Sequence, residues 1–172
     1  MNDITKEMAA VAPLGGFSGA EYDAVATTAN LEGISLFLTK FDFNPECLGD
    51  QGQWKLNVGR KILSCRFSEE DRSVIGIFEY FVTAKSGRKR AMHCVAHYGV
   101  FYQTPEGATE EAAKGFCRNV GTFAAYPYFR ALFAQLVAGT GLTLPPLPVI
   151  ASTAHKPPKG PSSRSAPKEG VN

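Results

Sequence analysis

The chain has 172 residues, 44% of them hydrophobic and 20% charged, which suits one globular domain with a sizeable core. Its formal net charge of +2 is unevenly spread: in residues 151–172, Lys156, Lys159, Arg164 and Lys168 face Glu169 alone, a net of +3. The other 150 residues hold 14 cations and 15 carboxylates, a net of −1, which argues against a nucleic-acid-binding domain with its basic face.

The first 29 residues, with Pro13, Gly15, Gly16 and Gly19, read as a flexible start holding one short helix in "GAEYDAVATTANL". "MNDITKEMAAVAPLGGF" lacks the basic start and long apolar stretch of a secretion signal, and no window reaches the length of a membrane span. The expectation is a cytoplasmic protein. Its four cysteines, Cys47, Cys65, Cys94 and Cys117, form no CxxC and read as reduced thiols rather than a disulfide or zinc framework.

Four strand-like stretches follow. "GISLFLTKFDFNP" alternates Phe37, Phe41 and Phe43 with Leu36, Leu38, Lys40 and Asp42 and stops at Asn-Pro. "QWKLNVGRKILSCRF" sets Trp54, Leu56 and Val58 on one side, then alternates Leu63, Cys65 and Phe67, so a bulge is expected near Gly59. "VIGIFEYFVTA" is apolar on both faces, with Val74, Phe78, Tyr80 and Val82 against Ile75, Ile77 and Phe81. After the turn "KSGRKR", "AMHCVAHYGVFYQT" alternates Met92, Cys94, Ala96, Tyr98, Val100 and Tyr102 on one face. Short polar connections between such stretches predict an antiparallel sheet.

Beyond "PEGATEE" the period becomes helical. Thr109 before Glu110 and Glu111 suits a helix start, its carboxylates near the positive end of the dipole. Pro127 suits the first turn of a second helix or a kink in the same one. Phe129, Leu132, Phe133, Leu136 and Val137 then form one apolar stripe, ended by Gly139 or Gly141. The fold class is α+β: a four-stranded antiparallel sheet followed by C-terminal helices. The Pro/Ser/Lys-rich residues 151–172 read as a disordered basic tail.

Candidate chemistry is sparse. His93 and His97 would meet at one metal on a helix, but on a strand residues four apart stand ~13 Å from each other, so no metal site is expected. Cys94 faces away from its histidine neighbour, and "GGFSG" lacks the context of a phosphate loop. Glu79, between large apolar neighbours, is either a buried acid or a cross-strand partner for a cation. With Asp42 it is the carboxylate set for an alternative reading, a small-molecule-binding or thioesterase-like α+β domain. No catalytic constellation and no cofactor emerge. Because terminal helices cover one face of the sheet, the second apolar face calls for a partner subunit or is an exposed surface used for binding, unless it is simply a well-filled core. A purely structural oligomer subunit is a third reading.

"GFCRNVGTFAAYPYFRALFAQLVAGTGLTLPPLPV" resembles the C-terminal signature of the SecB chaperone family: Tyr126, Pro127, Tyr128 and Arg130, then Leu144-Pro145-Pro146-Leu147 and Pro148-Val149. "LTKFDFNP", "FVTAKSG" and "YGVFYQT" resemble family strands, so the likeness spans residues 30–150. The resemblance implies an ATP-independent holdase, a homotetrameric dimer of dimers that grips unfolded client polypeptides. Clients would be preproteins for export or a specific chain such as an antitoxin. On that reading client contacts are expected at Trp54, Leu56, Phe78, Phe41 and Phe43, and an oligomer interface at Tyr126, Tyr128, Phe129 and Phe133. Two features depart from the family: "IASTAHKPPKG" cannot form a further amphipathic helix, and the fourth strand offers Cys94 and histidines where an acidic surface would meet the translocase motor.

Overall fold

The computed structural model describes residues 18–149, with the side chains of residues 50–53 excepted; the ends of the chain, including the expected tail, lie outside it. A helix, α1 (Gly19–Thr28), comes first. Ser18 caps it: its hydroxyl accepts from the Glu21 N–H at 3.2 Å, and the Glu21 carboxylate accepts from the Ser18 N–H at 2.8 Å. Val25 of α1 is buried, and α1 packs on the first of the C-terminal helices.

Four strands form one antiparallel sheet in the order β1-β4-β3-β2: β1 (Asn30–Phe43), β2 (Lys55–Ser68), β3 (Ser73–Ser86) and β4 (Lys89–Gln103). The 3₁₀ segment Pro45–Gln53 links β1 to β2. β3 and β4 occupy the centre, as their apolar character demands, and β1 and β2 are edges. The sequence places the strands correctly but not their bulges. One lies between Leu36 and Leu38, and another between Ile62 and Ser64, whereas Gly59 sits in regular ladder opposite Phe81. A bulge inserts one residue and reverses the faces beyond it. Phe37 is therefore not on the face of Phe41 and Phe43.

α2 (Glu110–Phe116) starts at Thr109, whose hydroxyl accepts from the Ala112 N–H at 3.4 Å, as its position before two carboxylates predicts. It runs through a π-helical turn (Cys117–Gly121) into α3 (Thr122–Gly139), with Pro127 inside α3 rather than at its start. These helices cover one face of the sheet. Their core partners are Val74, Phe78, Tyr80, Val82 and Ala84 of β3 and Met92 through Tyr102 of β4 at alternate positions. α1 closes the layer, the Tyr22 ring 6.5 Å from that of Phe116.

Candidate functional site

Tyr80 organises the helix side of the sheet. Its ring stacks on Phe129 at 5.4 Å and its hydroxyl donates to the Thr122 carbonyl at 2.6 Å. Burial holds the Tyr80 phenol far above its usual range, so it stays a neutral donor. Beside it Arg60 of β2 places its guanidinium over the Phe123 ring at 5.1 Å, and burial lowers its pKa. Nothing in the local sequence marks this cation for the covered face; Arg60 reads by alternation as an ordinary strand position.

Phe129 and Phe133 of the apolar stripe, and Tyr126 beside them, all point into this core and are 4% exposed or less. That corrects their placing at an oligomer interface: the apolar face of α3 is spent on its own sheet. Tyr128, 55% exposed, stands on the opposite face of α3 with Ala131, Ala134, Gln135 and Ala138, none of which is charged.

The Pro-rich run after α3 folds back along it. The Tyr126 hydroxyl donates to the Pro148 carbonyl at 2.8 Å, and Arg130 Nε donates to the Leu147 carbonyl at 3.1 Å. Leu142 and Leu147 are buried beneath. Tyr126 and Arg130, one helical turn apart, thus hold two successive carbonyls of the strap, which gives the Tyr-Pro-Tyr-x-Arg and Leu-Pro-Pro-Leu motifs one physical purpose. A cleft of about 560 Å³ lies between strap and helix, lined by groups such as Phe133, Val137, Leu142 and Leu144, with Arg130 as its charged member.

Phe78, expected at the client surface, is instead buried by the chain's own residues and 1% exposed. Cβ atoms built on Gly76 and Gly121 would come within 2.5 Å and 2.8 Å of its ring, so two glycines form the slot that takes it. The other expected client residues share one end of the sheet. Phe43, Met92, Ala84 and Leu56 form one cross-strand row, and Phe41, Cys94, Val82 and Val58 form the next. Met92 and Ala84 are buried, while Phe41, Phe43, Trp54 and Leu56 remain half-buried at the flanks, beside the 3₁₀ segment with its buried Cys47. The Trp54 indole N–H is buried and finds no acceptor among the described residues.

On the outward face, Ile75, Ile77 and Phe81 of β3 and Val95 and Phe101 of β4 are half-buried, and no helix among the described residues covers them. Phe37, re-aimed by its bulge, is 56% exposed and packs edge-on to Phe101 at 6.3 Å. Glu79 sits among these groups as a cross-strand partner: Lys61 Nζ lies 3.1 Å and His97 Nε2 3.0 Å from its carboxylate. Burial raises its pKa, but the hydrogen bonds and charges of Lys61 and His97 together outweigh that and hold it below the usual value.

His93 is engaged separately, its Nδ1 2.9 Å from the Thr83 hydroxyl. Among the described residues no three His, Cys, Asp or Glu groups gather as metal ligands. Asp42 stands opposite His93 and Glu79 opposite His97, four residues and ~13 Å along the strand, so the two carboxylates share no site. Neither lines the cleft at the strap.

No family model matches the sequence, and no curated protein matches it. Among solved structures, the chain is similar to the Mycobacterium tuberculosis Rv1957 SecB-like chaperone, a structure in complex with a ChAD peptide from the Rv1956 HigA1 antitoxin. That likeness has a TM-score of 0.64 at 15% sequence identity and covers 79% of this chain and 98% of the other. A sheet of this order backed by C-terminal helices, superposable over nearly the whole of that neighbour, gives the chain the SecB-like fold.

Proposed function

We propose that the chain is a chaperone of the holdase type, which binds unfolded client polypeptides without nucleotide and catalyses no reaction. The observation that carries this reading is the surplus of apolar surface. One sheet face is filled by the chain's own helices, yet Phe37, Phe81, Phe101, Ile75 and Ile77 cover the other, and Phe41, Phe43, Trp54 and Leu56 flank one end. Exposed apolar area of that kind in a water-facing protein marks binding. The fold neighbour's peptide complex supports a polypeptide as the ligand.

Client contact falls to Trp54, Leu56, Phe41 and Phe43. They are half-buried, so a client segment could complete their packing, and the unpaired Trp54 N–H could donate to a client carbonyl. Many weak contacts spread over several copies would give avidity without sequence specificity. The reading includes a homotetramer in the cytoplasm, with the uncharged exposed face of α3 around Tyr128 as a subunit contact.

A client dedicated to this protein, such as an antitoxin, suits the outward face better than delivery to a translocase motor. Asp42 and Glu79 stand there among Lys40, Lys55, Lys61, Arg66 and Lys85, and Lys55, Lys85 and Arg90 are directly opposite one another across three strands. Such a face is not acidic.

Trp54 is the sole tryptophan, so its emission reports on this surface. Titrating the protein with a tryptophan-free, chemically unfolded client should shift and saturate the Trp54 signal, and ATP should leave the curve unchanged. Emission indifferent to unfolded chains would remove Trp54 and its neighbours from the client surface.

A further inference from the structure

Two of the four cysteines, 52 positions apart in sequence, meet beneath the helices. Cys65 of β2 stands opposite Gly76 of β3. Cys117 opens the π-helical turn, and its Sγ lies 2.7 Å from where a Cβ on Gly76 would be. The missing side chain at Gly76 is what lets the sulfur reach the sheet. There the Cys65 and Cys117 thiols meet, close enough for Cys117 to favour the Cys65 thiolate. Cys117 is fully buried, whereas Cys65 keeps part of its surface. Arg118 and Lys114 bring positive charge near Cys65.

We propose that Cys65 and Cys117 form a redox-modification site, in which a hydroperoxide oxidises Cys65 and Cys117 resolves it to an intramolecular disulfide tying β2 to the π-helical turn. In the first step the Cys65 thiolate attacks a peroxide oxygen; an S–O bond forms, the O–O bond breaks and hydroxide leaves. In the second, the Cys117 sulfur attacks the sulfenic sulfur; the S–S bond forms and the sulfenic oxygen departs as water with the Cys117 proton. The two sulfurs together lose two electrons, and one hydrogen peroxide becomes two waters once the proton first released by Cys65 joins the hydroxide.

The roles of the two thiols differ for a physical reason. The neighbouring Cys117 thiol, then the charges of Arg118 and Lys114, favour the Cys65 thiolate and hold its pKa below that of a free thiol against the opposing effect of burial. The neighbouring Cys65, together with burial, keeps Cys117 protonated until Cys65 has reacted. Cys94, buried without such partners, has its thiol pushed up to about 11 and should be inert. Linking these positions pins the turn that joins α2 to α3, beside the slot that holds Phe78. The pairing is independent of what the protein binds.

The test uses the full chain, reduced and then treated with hydrogen peroxide. Intact mass should fall by about 2 Da, the free thiols should drop from four to two, and peptide mapping should find Cys65 joined to Cys117. At neutral pH Cys65 should react with peroxide about ten-fold faster than the other cysteines. In C117S, Cys65 should stop at the sulfenic acid and be trapped by dimedone. A wild-type chain that gains oxygen without losing two hydrogens, or that bridges Cys47 or Cys94, would overturn the proposal without recourse to any variant.

Discussion

The Tyr80 hydroxyl donates a 2.6 Å hydrogen bond to the carbonyl of Thr122, joining the centre of the sheet to the first residue of α3. Helices that carry a proline in their interior give up a backbone donor, and Pro127 does so one turn beyond this point. The phenol adds a buried donor where the helix leaves the π-helical turn. Removing it by Tyr80→Phe leaves the ring stacking on Phe129 intact and loses one buried hydrogen bond. The expected cost is about 1–2 kcal/mol in urea unfolding, with an unchanged m-value. A variant as stable as the wild type would mean that this bond contributes nothing net.

The strap gives a local prediction. Arg130 and Tyr126 hold the carbonyls of Leu147 and Pro148, so Arg130→Met, which keeps much of the apolar stem, should loosen residues 142–148 more than it destabilises the domain. Amide exchange in that segment should speed up while β3 and β4 keep their protection. Equal protection in the variant would mean that Leu142 and Leu147 anchor the strap by burial alone.

Glycine positions distinguish rigid from yielding neighbours. Gly121→Ala puts a Cβ 2.8 Å from the ring of Phe78, which is enclosed on all sides, and should cost about 2–3 kcal/mol. Gly99→Ala meets the Phe37 ring at 2.7 Å, but that ring is 56% exposed and can swing away. Its cost should stay below about 1 kcal/mol. Comparing the two by thermal unfolding checks the Phe78 slot, and equal effects would contradict it.

These contrasts also mark what the sequence could and could not disclose. Thr109 before two glutamates shows a helix start because the capping chemistry is local. The alternation of Met92 through Tyr102 gives the buried face of β4 because the strand is regular there. Alternation alone puts Phe37 on the face of Phe41 and Phe43, but a single inserted residue flips everything beyond it, and nothing in the local pattern announces the bulge. Phe78 could not be read as buried in a slot, because Gly76 and Gly121 come from elements 45 positions apart in sequence. The stripe on α3 was legible as apolar, but periodicity does not say whether such a stripe meets its own sheet or another subunit. Phe129 and Phe133 meet the sheet, which leaves Tyr128, off the stripe, as the exposed ring.

Acid should test the outward face. Glu79 has a folded-state pKa below its ordinary value, so it contributes stability that is present above the unfolded value and is lost as pH falls through the folded one. Stability should therefore decline below about pH 4.5 in part through Glu79. Glu79→Gln should flatten that part of the curve while lowering stability at neutral pH, where Lys61 and His97 lose their partner. Parallel stability–pH curves for the two proteins would show that the ion triad has no influence.

The central claim is that this fold holds unfolded chains in solution by its apolar surface. Light scattering on the purified protein, first alone and then with a chemically unfolded client diluted into it, tests that claim most directly. The account predicts a particle close to four 18.5 kDa subunits that keeps the client from aggregating without ATP, and less effectively when Trp54 and Leu56 are both changed to serine. A monomer in whose presence the client aggregates as fast as in buffer would contradict it.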